Sequence, residues 1–114
     1  MKIRTATTAG VTVCHIEGNL EYLTVPDLRP LLAELPAGRG LVFEMSGVAF
    51  VDSAGIGALV GAVRRARQAG ADAVLCSPRP SVQRALTLVG LHLLVGIYGD
   101  EDEAVSALLQ PAVA

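Results

Sequence analysis

From Val11 onward the chain alternates short apolar runs with segments whose apolar residues recur every three or four positions, and this alternation restricts the fold more than any other feature. Short apolar runs suit buried strands, whereas a recurrence near 3.6 suits helices packed on one face. Strands separated by helices are joined by right-handed crossovers, which predicts a largely parallel sheet.

Read along the chain, Lys2 to Ala6 and Val11 to Glu17 are β-prone runs separated by Thr-Thr-Ala-Gly, which predicts an opening hairpin turned at Gly10. Thr24 and Asp27 form an S/T-x-x-D capping signal, and Leu28, Leu31, Leu32 and Leu35 follow on one helical face. Pro30 falls inside that pattern, where it removes a backbone hydrogen bond and predicts a kink. After the break at Pro36 to Gly40, Leu41 to Met45 reads as a short central strand, followed by a loop through Ser46-Gly47.

From Asp52 the residues Ile56, Leu59, Val60 and Val63 recur at helical spacing, with Arg64, Arg65, Arg67 and Gln68 on the polar face and Gly70 as the stop. Ala73 to Ser77 predicts a further buried strand, and Pro80 precedes a helix with Val82, Ala85, Leu86 and Val89 on its apolar face. A strand over Leu93 to Tyr98 and a helix over Glu101 to Leu109 complete the order β-β-α-β-α-β-α-β-α. This is an α/β fold with a mixed, mostly parallel central sheet, an antiparallel component from the hairpin, and about four helices. The acidic run Asp100 to Glu103 fits the first turn of the last helix, whose dipole favours carboxylates there.

At 114 residues, 52% of them hydrophobic, the chain is sized for one domain over residues 1–114 that needs no disulfide, metal or cofactor for stability. Cys14 and Cys76 stand far apart in apolar runs, without a Cys or His at metal-ligand spacing, and read as buried strand thiols. The N-terminus has no signal-peptide pattern, and Gly, Arg, Asp or Pro interrupts every apolar stretch before the roughly 18 residues of a membrane span. The expectation is a cytoplasmic protein without a membrane span. A net charge of −2, 4% aromatics and no Trp leave neither a basic surface nor a stacking platform for nucleic acid.

Chemistry concentrates in Phe50-Val-Asp-Ser-Ala-Gly-Ile-Gly57, which runs from a strand into a helix and sets Asp52 and Ser53 at the helix start. Free backbone N–H groups and the helix dipole make that position receptive to an anion. Gly55 and Gly57 leave room for another backbone or a phosphate to approach. Asp52 or Ser53 can serve simply as a cap with the glycines packed on the sheet, and capping is compatible with a serine that a kinase can reach.

Enzymatic readings fare worse. No G-x-S-x-G elbow surrounds Ser53, and the two candidate bases, His15 and His92, read as plain surface or turn histidines. Gly55, Gly57 and Gly61 give only a weak dinucleotide fingerprint, and the next strand ends at Ser77 rather than at an acid. No Gly-Lys-Ser/Thr of a phosphate-binding loop follows.

Phe50 to Gly57 resembles the F-x-D-S-S-G-L-G signature of the STAS domain, in particular of the stand-alone anti-sigma factor antagonists of bacterial spore- and stress-sigma regulation. Gly18-Asn-Leu-Glu-Tyr-Leu-Thr24, Ser81-Val-Gln-Arg-Ala-Leu86 and Val89-Gly-Leu91 match as well, so the likeness covers nearly the whole chain. It implies a protein that is not itself an enzyme. Its partners would be an anti-sigma factor with ATP-dependent serine kinase activity, which modifies Ser53, and a serine phosphatase that reverses the modification. The unmodified form would hold the anti-sigma factor and free the sigma factor. A partner-binding face of Asp52, Ser53, Ala54, Gly55, Ile56, Gly57, Glu21, Tyr22 and Thr24 is implied by position.

Two residues depart from the pattern: Ala54 replaces the second serine, and Glu21 stands where the family usually has Asp. Partner choice is therefore open, since loop side chains set specificity by clash as well as attraction. A rival reading is a non-switching STAS interaction subunit, such as a stressosome scaffold piece or the accessory subunit of an ABC lipid transporter. Ser53 beside Asp52 favours the switch.

Overall fold

Two adjacent residues with positive φ, Ala9 at 52° and Gly10 at 84°, turn the chain between β1 (Lys2–Thr8) and β2 (Val11–Leu20). A two-residue turn with both φ positive matches the right-handed twist of a hairpin, so the strands pair in register from Lys2↔Glu17 to Thr8↔Val11. Both strands run further than the sequence suggests, to Thr8 and Leu20. The computed structural model describes residues 1–36 and 38–110.

The remaining elements are α1 (Val25–Ala33), β3 (Leu41–Val51), α2 (Ser53–Gln68), β4 (Ala73–Cys76), α3 (Pro80–Leu88), β5 (Ile97–Tyr98) and α4 (Glu101–Leu109). The five strands form one sheet in the order β1-β2-β3-β4-β5, antiparallel only between β1 and β2, as the alternation of the sequence requires. One face carries Cys14, Ile16, Leu20, Phe43, Met45 and Leu75 against α1, α2 and α3. The other carries Val11, Val13, Val42, Val74 and Cys76 against Ala104 and Val105 of α4. Burial on both faces is why the inner strands read as continuous apolar runs. Among the described residues no helix is long and apolar enough to cross a membrane.

Several sequence expectations are corrected here. Strand β3 does not end at Met45, and Ser46-Gly47 is not a loop: the strand continues to Val51. Register steps against β2 between His15 and Glu17, and again between Gly18 and Asn19, absorb the extra residues of β3 as bulges. The strand expected over Leu93 to Tyr98 shrinks to Ile97–Tyr98. Leu91–Leu93 instead forms a 3-10 turn started by Gly90 at φ 77°, leaving Leu93 and Leu94 exposed. Val89 of the expected apolar face of α3 is exposed, and Ser77 leaves β4 with φ 55°.

In α1 the helix passes through Pro30 to Ala33, and Val25, Leu28 and Leu32 are buried while Leu31 is exposed. Thr24 stands at the N-cap position but makes no capping bond, because its backbone is already helical and turns the hydroxyl back into the preceding loop. The buried stripe of α2 is Gly55, Ala58, Leu59, Ala62, Val63 and Ala66, four of them glycine or alanine, and at Gly55 the helix comes into close contact with Leu20 of β2. Ile56 and Val60, expected in that stripe, lie half-buried at its flank.

Candidate functional site

Because β2 and β3 are parallel and end together at Leu20↔Val51, the loops that follow them emerge side by side. Loop residues 21–24 and the start of α2 thus meet at the carboxyl ends of the strands, the usual place for function in such sheets. Asp52 joins them. Its Oδ1 accepts from the Gly55 N–H at 2.9 Å and caps α2, while its Oδ2 accepts from the Tyr22 N–H at 2.9 Å. Its own N–H donates to the Leu20 carbonyl at 3.0 Å. The Gly55 donor first, and Tyr22 second, hold the Asp52 carboxyl below the usual aspartate range.

Ser53 opens α2 and is exposed, as is Gly57 one turn later on the same helical face. Ala54 and Ile56 are half-buried and pack on the edge of the core. The two glycines do different jobs. A Cβ on Gly55 would collide with the carbonyl and side chain of Leu20, so Gly55 serves contact within the chain rather than the approach of a ligand. A Cβ on Gly57 would meet nothing within 4 Å, so its face is open.

The 21–24 loop is a compact turn. The Glu21 carbonyl accepts from the N–H groups of Thr24 and Val25, both at 2.9 Å. The Thr24 hydroxyl accepts from the Glu21 N–H at 3.1 Å and donates to the Asn19 carbonyl. These bonds fix a turn whose tip carries Tyr22 and Leu23, 75% and 78% exposed. The structure therefore brings Glu21, Tyr22 and Thr24 together with Asp52 to Gly57, joined through Asp52.

Two apolar residues lie on this surface that the sequence places within the matching segments but outside the nine residues of the expected partner-binding face. Leu23 sits at the loop tip, and Phe50 is 50% exposed near the end of β3. No periodicity marks Leu23. The exposure of Phe50 follows from the second bulge, where Gly18↔Val48 gives way to Asn19↔Phe50 and leaves Ala49 without a partner. A bulge of this kind re-aims the side chains after it.

His15 is not a plain surface histidine. It lies half-buried beneath α4, with Nε2 3.1 Å from Glu101 Oε1 and a buried Nδ1 that has no partner among the described residues. It faces α4, on the opposite side of the sheet from α2 and Ser53. His92 lies in the 3-10 turn. Asp100 caps α4 by accepting from the Glu103 N–H at 2.8 Å, in keeping with a structural role for the acidic run.

A mostly parallel five-stranded sheet, three helices on one face, one on the other, and a serine at the exposed start of the second helix define the class to which this chain conforms. The chain belongs to the STAS domain family, whose model matches residues 2–104. It is 28% identical to the anti-sigma F factor antagonist of Paenibacillus polymyxa over 102 residues, 87% of each chain. Its fold is similar to an anti-sigma factor antagonist from Mycobacterium paratuberculosis, with a TM-score of 0.87 and 22% identity over 96% of this chain and 94% of that one. It is similar too to SpoIIAA, a Bacillus cell fate determinant. The TM-score is 0.75 for the unphosphorylated form, at 20% identity over 98% and 100% of the two chains, and 0.68 for the phosphorylated form, at 20% over 94% and 99%.

Proposed function

We propose that this protein is an anti-sigma factor antagonist that works by binding and is switched by phosphorylation of Ser53. The observation that carries this reading is an exposed serine at the first position of a helix whose cap, Asp52, also holds the neighbouring loop. The names of the similar proteins support the same reading.

The unmodified face, made of Asp52, Ser53, Ala54, Ile56 and Gly57 with Glu21, Tyr22 and Thr24, takes up an anti-sigma factor that is also a serine kinase, and the sigma factor is released. That partner transfers the terminal phosphoryl group of ATP. A bond forms between Ser53 Oγ and phosphorus, the bond from phosphorus to the bridging oxygen breaks, ADP departs, and the hydroxyl proton passes to a base on the kinase. The product carries about −1.5 to −2 charges at neutral pH. Next to the ionised Asp52 that charge adds repulsion and desolvation inside the interface, and a loss of about 3 kcal/mol lowers affinity more than a hundredfold. A serine phosphatase restores the binding form when water takes the phosphoryl group.

The test is to incubate the protein with the anti-sigma factor kinases of its own cell and ATP, then map phosphate by mass spectrometry. One phosphate on Ser53, absent from Ser53→Ala, is expected. Phosphate elsewhere, or none with any of these kinases, overturns the reading.

A further inference from the structure

Past Glu44, β3 runs without β4. The β3–β4 pairing stops at Glu44↔Cys76, so the last turn of the β3 ribbon faces the start of α3 across a groove. Ala49, Phe50 and Val51 form one wall, Ser81, Val82 and Ala85 the other, and the space between is about 220 Å³. Five of these six residues are apolar. The volume falls below the roughly 300–1,000 Å³ of small-molecule sites, and fits a single side chain better than a free ligand.

The groove is continuous with the Ser53 surface. Phe50 and Val51 directly precede Asp52, and the bulge at Ala49 is what turns Phe50 toward solvent in a strand whose Val48 and Val51 stay buried. Large apolar side chains held in the open beside a polar site mark protein contacts.

We propose that Phe50 and this groove are the apolar anchor of the Ser53 surface, taking one aliphatic or aromatic side chain of the same protein partner that meets Ser53. The inference rests on the function proposed above and adds where binding energy resides. Ser53 sets the charge of the interface; the groove supplies its desolvated contact. The two are separate places on one surface, because Ser53 is not among the residues that line the groove.

The experiment titrates the anti-sigma factor kinases of the same cell against wild type, Phe50→Ala, Phe50→Leu and Ser81→Glu by calorimetry, with circular dichroism of each variant. Phe50→Ala is expected to weaken binding roughly tenfold or more, Phe50→Leu to retain most of it, and Ser81→Glu, on an exposed helical position across the groove, to weaken it without disturbing the fold. Wild-type affinity in both Phe50→Ala and Ser81→Glu overturns the anchor and leaves the Ser53 switch standing. Absence of binding by wild type to every such kinase overturns the functional reading, and the anchor falls with it.

Discussion

The carboxylate of Asp52 accepts from the backbone N–H of Tyr22, thirty residues earlier in the chain, while its other oxygen caps α2. One side chain thus fixes both halves of the candidate face. Asp52→Ala removes both bonds and is expected to lower the thermal midpoint by a few degrees. Asp52→Asn keeps one accepting oxygen but turns an amide NH2 toward the other backbone donor, so near pH 7 it should fall between Asp52→Ala and wild type. The two differ from wild type in acid. A carboxyl held below its usual value contributes stability that is fully present above the ordinary aspartate range, near 4, and is lost as pH falls toward the lowered value. Thermal melts from pH 7 down to about 3 should therefore slope less for Asp52→Asn, and parallel curves would contradict this role.

Gly55 and Gly57 lie two residues apart in one motif and should respond oppositely to the same substitution. Gly55→Ala drives a methyl group into the Leu20 carbonyl, which a strand end cannot yield without moving β2 from α2, so a loss of about 2 kcal/mol or more is expected. Gly57→Ala adds a good helix former where nothing obstructs it, for a gain of up to about 1 kcal/mol. Urea unfolding of the two variants decides the matter. Equal shifts would mean that the close contact at Gly55 does not set its identity.

These opposite roles explain how much of the molecule could be read in advance. Alternation of apolar runs with helical periods was enough for the element order, since strands buried on both faces and helices with one packed face leave distinct patterns. It could not locate the end of β3, because a bulge at Ala49 has no sequence mark and Ser46-Gly47 looks like a break. Leu93 and Leu94 carry strand-like chemistry yet turn outward, since Gly90 at positive φ starts a 3-10 turn first. At the site, Asp52 and Ser53 were legible as a helix start. The Tyr22 bond was not, because it depends on two parallel strands ending level, a property of register and not of local composition. The same holds for the pairing of His15 with Glu101.

Cys14 and Cys76 are both free and fully buried, and burial pushes their thiols up to about 12 and about 11. Only the thiolate reacts, so at pH 8 both thiols are almost wholly protonated, and their burial also keeps reagent away. Reaction with a colorimetric disulfide reagent in the native state should be slow, and two thiols should react at once in denaturant. Rapid native labelling of either would show that the strands open locally.

Ser53→Asp and Ser53→Ala separate the two effects that a negative charge has at this position. Within the folded protein an anion at the first turn of α2 is favoured by the helix dipole, by about 0.3–1 kcal/mol at an exposed site, so Ser53→Asp should not lower the thermal midpoint. In the complex the same charge sits beside Asp52 under a partner and is repelled. Binding to the anti-sigma factor should therefore weaken, by about tenfold, less than phosphate achieves because aspartate carries a single charge. Ser53→Ala adds no charge and should bind within about twofold of wild type. The loss in Ser53→Asp should shrink in part as salt is raised from about 0.05 to about 0.5 M, since salt screens the repulsion between like charges. Retained stability with weakened, salt-sensitive binding is a combination that misfolding cannot produce, and equal affinities of the two variants in a titration would end the case for a charge switch at Ser53.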